Sequence, residues 1–403
     1  MNAMRCAAWA MAMGAGAAIQ VWAQGPLAPP AAPGPMMKTL EQLEPRIPIT
    51  NTSYVINQPG SYYLTTNLTA TGHGITIRTN GVVLDLMGFA ITGDGGTTDC
   101  GIYIAGTNTA PICGAVVRNG TLRNFGYGFR ANSTHGGRFE RLAISGNAVA
   151  GVWFYCANGS SRGNVFSDCA IGGNAADGMR FAANRGEFVG NSVVDCAIAG
   201  NGGAGIYLYG YGDPTLDTRC DGNSILRCVV TGNRTNGIVL DGSYNGRCAG
   251  NVVADCAVVA NGGYGIFLNG SASGGTCQGN TLSGCVVVGN SDIGILVSGS
   301  PAGTCDGNAV VDCVVNDNVG NGIHVVLARG NRVEGNHVTY NYGASYGLSC
   351  VATSSNLFLR NSSIGHVYNY LPGAGDTYGP TVTNQGELAT IGQAIHPWAN
   401  FSR

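Results

Sequence analysis

A glycine followed by alternating apolar residues returns eleven times along this 403-residue chain, at Gly74, Gly101, Gly128, Gly151, Gly178, Gly205, Gly237, Gly265, Gly294, Gly322 and Gly347. A repeat constrains the fold more than any single motif, because each copy must stack on the next. The steps run from 23 to 32 residues, a drift that a solenoid absorbs in its turns. From Ile102 and Ile104 to Leu348 and Cys350, the first and third positions after the glycine are apolar, while the second and fourth vary. Side chains alternate faces along a strand, so the first and third columns are expected inside and the second and fourth outside.

The rest of each copy has its own rhythm. Asn164, Cys169 and Asn174 stand five apart, and the spacing returns as Asn191, Cys196, Asn201, then Asn223, Cys228, Asn233, and so on to Asn331, Asn336, Asn341. Pairs such as Val252-Val253 and Val258-Val259 fill the intervals. This predicts two more short strands with a corner at each marker, Asn adopting the left-handed conformation there and bonding to the coils above and below. Three short strands per coil, without 3.6-residue periodicity, make an all-β solenoid of about eleven coils and exclude a helical repeat. Coils about 4.8 Å apart give a rod of roughly 50 Å.

The ends read differently. Arg5, the mostly apolar 16-residue run Cys6 to Val21 and the Val21-Trp22-Ala23 triplet have the pattern of an export signal. The expected organisation is a signal peptide at 1–23, a Pro-rich linker at 24–36, an N-terminal cap at 37–73, the solenoid at 74–366 and a C-terminal cap at 367–403. Met37 to Leu43 is expected to form a short amphipathic helix over the first coil. Open sheet edges template aggregation, so the tail is expected to turn back and bury Trp398 and Phe401 near Leu348 and Leu357. No transmembrane segment is expected after signal removal, and a secreted or periplasmic monomer is the anticipated form.

Several segments carry a resemblance. MKTLEQLEPRIPI (37–49), QPGSYYLTTNL (58–68), LDLMGFAITG (84–93), SNLFLRNSS (355–363) and HPWANFS (396–402) resemble a group of exported bacterial right-handed parallel β-helix proteins. The resemblance implies the right-handed fold and export, and brings no activity with it. More distantly it implies the fold of pectate lyases and polygalacturonases, which is analogy at the level of fold.

Beyond Cys6 there are 14 cysteines. Ten fall in two columns: Cys169, Cys196, Cys228, Cys256, Cys285 and Cys313 at the corner, and Cys220, Cys248, Cys277 and Cys305 three residues before the Asn. An oxidising compartment favours disulfides, within a coil or between vertical neighbours; the alternative is reduced thiols serving as small buried fillers. No His joins the columns at a usual zinc spacing, so no metal is expected there.

Function is sought on the outward columns. Tyr103, Arg130, Trp153, Arg180 and Tyr207 in one, with Tyr155 and Tyr209 in the next, offer rings for sugar faces and guanidinium groups for hydroxyls or carboxylates. The expected partner is a polysaccharide or cell-surface glycan. Such stacks also stabilise sheets by cross-strand pairing alone, and a structural surface or matrix protein is the alternative. A further alternative is a polysaccharide lyase, for which Arg180, Asp213, Asp217 and Asp241 are the catalytic candidates. Ca²⁺ would serve as cofactor only under that reading; otherwise none is expected. Gly72-His73-Gly74 matches a polygalacturonase fragment without its companions and is read as chance. Asp168, Asp195, Asp255 and Asp312 precede corner cysteines and are read as a solvated acidic column. With a net charge of −2 and Lys38 as the single lysine, nucleic acid is not an expected partner.

Overall fold

The computed structural model describes residues 45–212, 218–271, 273–342, 346–383 and 394–403. Every regular element among them is a β-strand, and the strands pair in parallel from coil to coil. The unit Arg46–Arg403 is a right-handed parallel β-helix. Met37 to Leu43 and the proposed signal and linker lie outside the described residues. Among the described residues no helix is long and apolar enough to cross a membrane.

The glycine-led strands form one sheet of thirteen. Eleven follow the repeat glycines. Tyr54–Ile56 and Tyr368–Leu371 add a rung at each end, inside the segments read as caps. Register is unbroken down the apolar column: Phe129 pairs with Val152, Val152 with Met179, Ile238 with Ile266, Ile323 with Leu348. All of these are buried, as are Phe154, Leu208, Leu240 and Val325 two residues on. The inward assignment therefore holds. The outward columns are less open than expected: Ala182, Val239, Asp241, Leu296 and Ser349 are buried by their neighbours.

The repeat glycine answers a packing demand. A Cβ at Gly237 would sit 2.6 Å from the carbonyl oxygen of Gly265 and 2.4 Å from a Val258 methyl. No other side chain fits where consecutive coils approach this closely.

The other two strands of each coil merge into a 26-stranded sheet, because Val116–Arg123 and Arg138–Ser145 each run through the corner unbroken. A fourth short strand, not read from the sequence, joins the coils from Ile112–Cys113 to Thr276–Gln278 as a seven-stranded sheet. It is two or three residues long, too short to show a period of its own.

The corners correct one expectation. The Asn markers stack, but the positive φ falls on the residue before each marker: Gly163, Gly190, Gly222 and Gly250 in one column, Asp168, Asp195, Arg227, Asp255 and Asp312 in the other. The acidic column thus has a backbone reason, since Asp tolerates the left-handed region better than most residues. The freed Asn side chains build ladders. Asn280 Nδ2 donates to Asn308 Oδ1 and to the Cys248 carbonyl, both at 3.0 Å, while its Oδ1 accepts from the Asn251 amide at 2.9 Å.

All fourteen cysteines in the described residues are free thiols in this structure. Corner thiols point at carbonyls within and above their own coil, as Cys256 does toward Ala254 and Ile225. Burial raises the Cys220 and Cys277 thiols well above the ordinary value.

The tail turns back as expected. Asn400–Ser402 pairs with Ser362–Ile364, and Asn361 donates its amide to Asn400 Oδ1 at 2.9 Å, so the tail completes an Asn ladder. Its aromatics are not buried as expected: Trp398 is 43% exposed and Phe401 half-buried. Ala399 and Asn400 occupy the buried positions, which leaves Trp398 outside, 5.8 Å from the Arg360 guanidinium carbon.

Candidate binding face

Five successive rungs of the glycine-led sheet carry Tyr103, Arg130, Trp153, Arg180 and Tyr207 in register on the outer side. Rung spacing is about 4.8 Å, close enough for ring and cation to stack. The Arg130 guanidinium carbon lies 5.5 Å from the Tyr103 ring, 5.4 Å from Tyr127 and 5.0 Å from Trp153. Arg180 lies 5.4 Å from Tyr207 and 5.9 Å from Tyr209. A second row runs beside the first: Asn132 Nδ2 donates to the Tyr103 hydroxyl at 3.0 Å, and Asn184 Nδ2 to the Tyr155 hydroxyl at 2.9 Å. Tyr207, Tyr209, Tyr211 and Tyr244 continue as a chain of rings with centroids 5.4–5.8 Å apart. The structure thus brings together all seven residues expected on this face.

Three donors here are buried without a hydrogen-bond partner among the described residues: Arg130 Nε, Trp153 Nε1 and Arg180 Nε. A buried unsatisfied donor costs about 1–3 kcal/mol.

Sequence reasoning missed Tyr127 and Asp177. With Val149, Ala150, Ala176, Trp153 and Arg180 they line a notch of about 50 Å³ on this face. Tyr127 stacks on Trp153 at 4.6 Å. Asp177 Oδ1 accepts from the Ala204 amide at 2.8 Å, and Oδ2 lies 3.6 Å from Arg180 Nη1. Burial raises the Asp177 pKa, outweighing the Ala204 bond and the Arg180 charge. The legible signal is that both residues directly precede a repeat glycine. Burial first, then the Asp241 charge, pushes Tyr209 up to about 12 and raises Tyr207 as well.

Asp213 and Asp217 lie outside the described residues. Asp241 is buried and engaged: Oδ2 accepts from the Tyr207 hydroxyl at 2.7 Å, and Oδ1 from the Ser243 amide and Asn269 Nδ2. Among the described residues no group of three or more His, Cys, Asp or Glu could hold a metal ion. His73 accepts from the Cys100 amide at 3.0 Å, which accounts for it structurally.

Comparisons with known proteins agree with this architecture. The family model for the right-handed beta helix region matches residues 64–225 and 100–282. The model for the periplasmic copper-binding protein NosD matches residues 215–385, where the described side chains offer no cluster suited to a metal. No curated protein matches in sequence. Among solved structures, the A-module of the mannuronan C-5 epimerase AlgE6 of Azotobacter vinelandii is 17% identical with a TM-score of 0.66, covering 82% of this chain and 92% of that one. The A-module of AlgE4 from the same organism is 17% identical with a TM-score of 0.59, covering 79% and 91%. The catalytic domain of a GH87 α-1,3-glucanase is 15% identical with a TM-score of 0.50, covering 89% and 63%. At these identities the likeness is one of fold.

Proposed function

From a chain that belongs to the right-handed parallel β-helix family, we propose an extracytoplasmic protein that binds polysaccharide along the outer face of its glycine-led sheet, between the rungs of Tyr103 and Tyr211. The observation that carries this reading is the series Tyr103, Arg130, Trp153, Arg180, Tyr207 on consecutive rungs, with three desolvated donors among them lacking a partner. Aromatic faces take the apolar faces of sugar rings, and guanidinium groups take the oxygens. A straight sheet of repeated rungs suits a polymer better than a compact ligand. Similar folds titled as acting on mannuronan and on α-1,3-glucan support a glycan partner at the level of analogy, and the periplasmic family named above supports location outside the cytoplasm.

The test is a glycan array followed by affinity electrophoresis. The full-length protein is expected to bind a subset of polysaccharides, and Trp153→Ala to weaken that binding by about tenfold or more while melting normally. A protein that binds no glycan, or a Trp153→Ala variant that binds unchanged, would return the face to a purely structural role.

A further inference from the structure

The alternation on the binding face has a period. Arg130 and Arg180 are separated by the Trp153 rung and flanked by the Tyr103 and Tyr207 rungs. The two cations are therefore two rungs apart, roughly 10 Å along the axis, with a ring between them and one beyond each. A β-linked pyranose chain advances about one sugar per rung. Aligned with the axis, it would place sugars alternately over rings and over guanidinium groups.

Neither cation is held in a close bidentate ion pair. No carboxylate among the described residues pairs with Arg130, whose neighbours are three rings. Arg180 has one carboxylate near it, Asp177 at 3.6 Å, too long for a bidentate pair and partly committed to the Ala204 amide. Asp241 is turned to Tyr207, Ser243 and Asn269. Several arginines elsewhere are held more closely: Arg118 pairs with Asp85, Arg162 and Arg219 with Glu187, Arg227 with Asp195, Arg332 and Arg360 with Glu334.

We infer that the preferred ligand is an anionic polysaccharide whose acidic group recurs on every second sugar, the acidic sugars lying over Arg130 and Arg180 and the intervening sugar over Trp153. This rests on the glycan-binding reading above and adds the chemical class and spacing. It also explains the alternation, since a neutral glucan would be served as well by rings on every rung.

Isothermal titration of the full-length protein with hyaluronan oligosaccharides, in which uronate and neutral sugar alternate, tests the inference against carboxyl-reduced hyaluronan and neutral chito-oligosaccharides of equal length. Hyaluronan is expected to bind at least about tenfold more tightly than its reduced form, each lost charge-assisted contact being worth about that factor. Arg130→Gln and Arg180→Gln should each remove most of the preference, whereas Arg180→Lys should retain part of it. Should either Gln variant fail to fold, the reduced-polymer comparison on the native protein decides alone. Equal binding of reduced and native hyaluronan would overturn the anionic assignment and leave glycan binding standing. Absence of binding to every glycan would overturn both.

Discussion

The coils that carry residues 100–211 and those that carry 238–326 share one backbone plan and differ in what fills it. In the first stretch the interior is aromatic: Phe129, Phe139, Phe154, Phe166, Phe181 and Phe188 pack with neighbouring centroids at 4.6–6.3 Å. In the second it is aliphatic and sulfur, with Leu240, Val258, Leu268, Cys277, Val287 and Val297 all buried. The outer faces diverge more sharply. Trp153, Arg180 and Tyr207 align with Val239, Phe267, Leu296 and His324 further along the same column. The later coils stack in register without a single outward arginine in that column. The rings and cations of the earlier coils are therefore not what holds the solenoid together, and their cost in unsatisfied donors calls for another reason.

The largest effect should be common to both stretches. Phe154→Asp and Leu240→Asp each place an unpaired charge inside the coil, at a cost of several kcal/mol, and both are expected to abolish soluble folding on expression. Survival of either would show that the two interiors are not equally closed. Next come the ladders. Replacing Asn191 or Asn280 by Leu strands buried groups on the adjacent coils, with an expected loss of about 3 kcal/mol in urea unfolding. Equal losses would confirm that the ladder acts alike in both stretches; a much smaller loss at Asn191 would mean that the phenylalanine packing beside it carries the load.

Binding should separate the stretches. Phe267→Ala, on the later coils, is expected to leave glycan affinity unchanged where Trp153→Ala reduces it, and a matching loss in both would extend the face beyond the earlier coils.

The smallest effect is electrostatic. Burial works to raise the Asp376 pKa, but hydrogen bonds from Thr353, Asn356 and Cys350 outweigh it and hold it below the ordinary value. A carboxylate depressed in the folded state contributes stability above its unfolded pKa, near 4, and loses that contribution as pH falls through the folded value. Asp177 is shifted the opposite way, so it opposes folding above its raised pKa and ceases to do so on protonation. Amide exchange read by mass spectrometry from pH 6 to pH 3 should show strands Ser354–Leu359 and Gly375–Tyr378 loosening while the backbone around Asp177 does not. Parallel loosening at both places would contradict the assigned directions.

The stacking plan was legible because its causes are local. Period-two alternation decides which residues of a strand face inward, so Ile238 and Leu240 could be placed from their neighbours in the chain alone. The five-residue spacing of Asn and Cys marked the corners, since a strand this short has no other place to turn. The outward column of Tyr103, Arg130, Trp153, Arg180 and Tyr207 followed from the same alternation. What a column touches is a different matter, because contact depends on residues a whole coil or more away. Only the stacked coils set Tyr127 and Asp177 beside Trp153 and Arg180, turned Asp241 to Tyr207 and Asn269, moved the left-handed backbone from the Asn to the residue before it, and left Trp398 outside while Asn400 closed the ladder. Alternation along a strand is a property of the chain; burial and partnership belong to the stack.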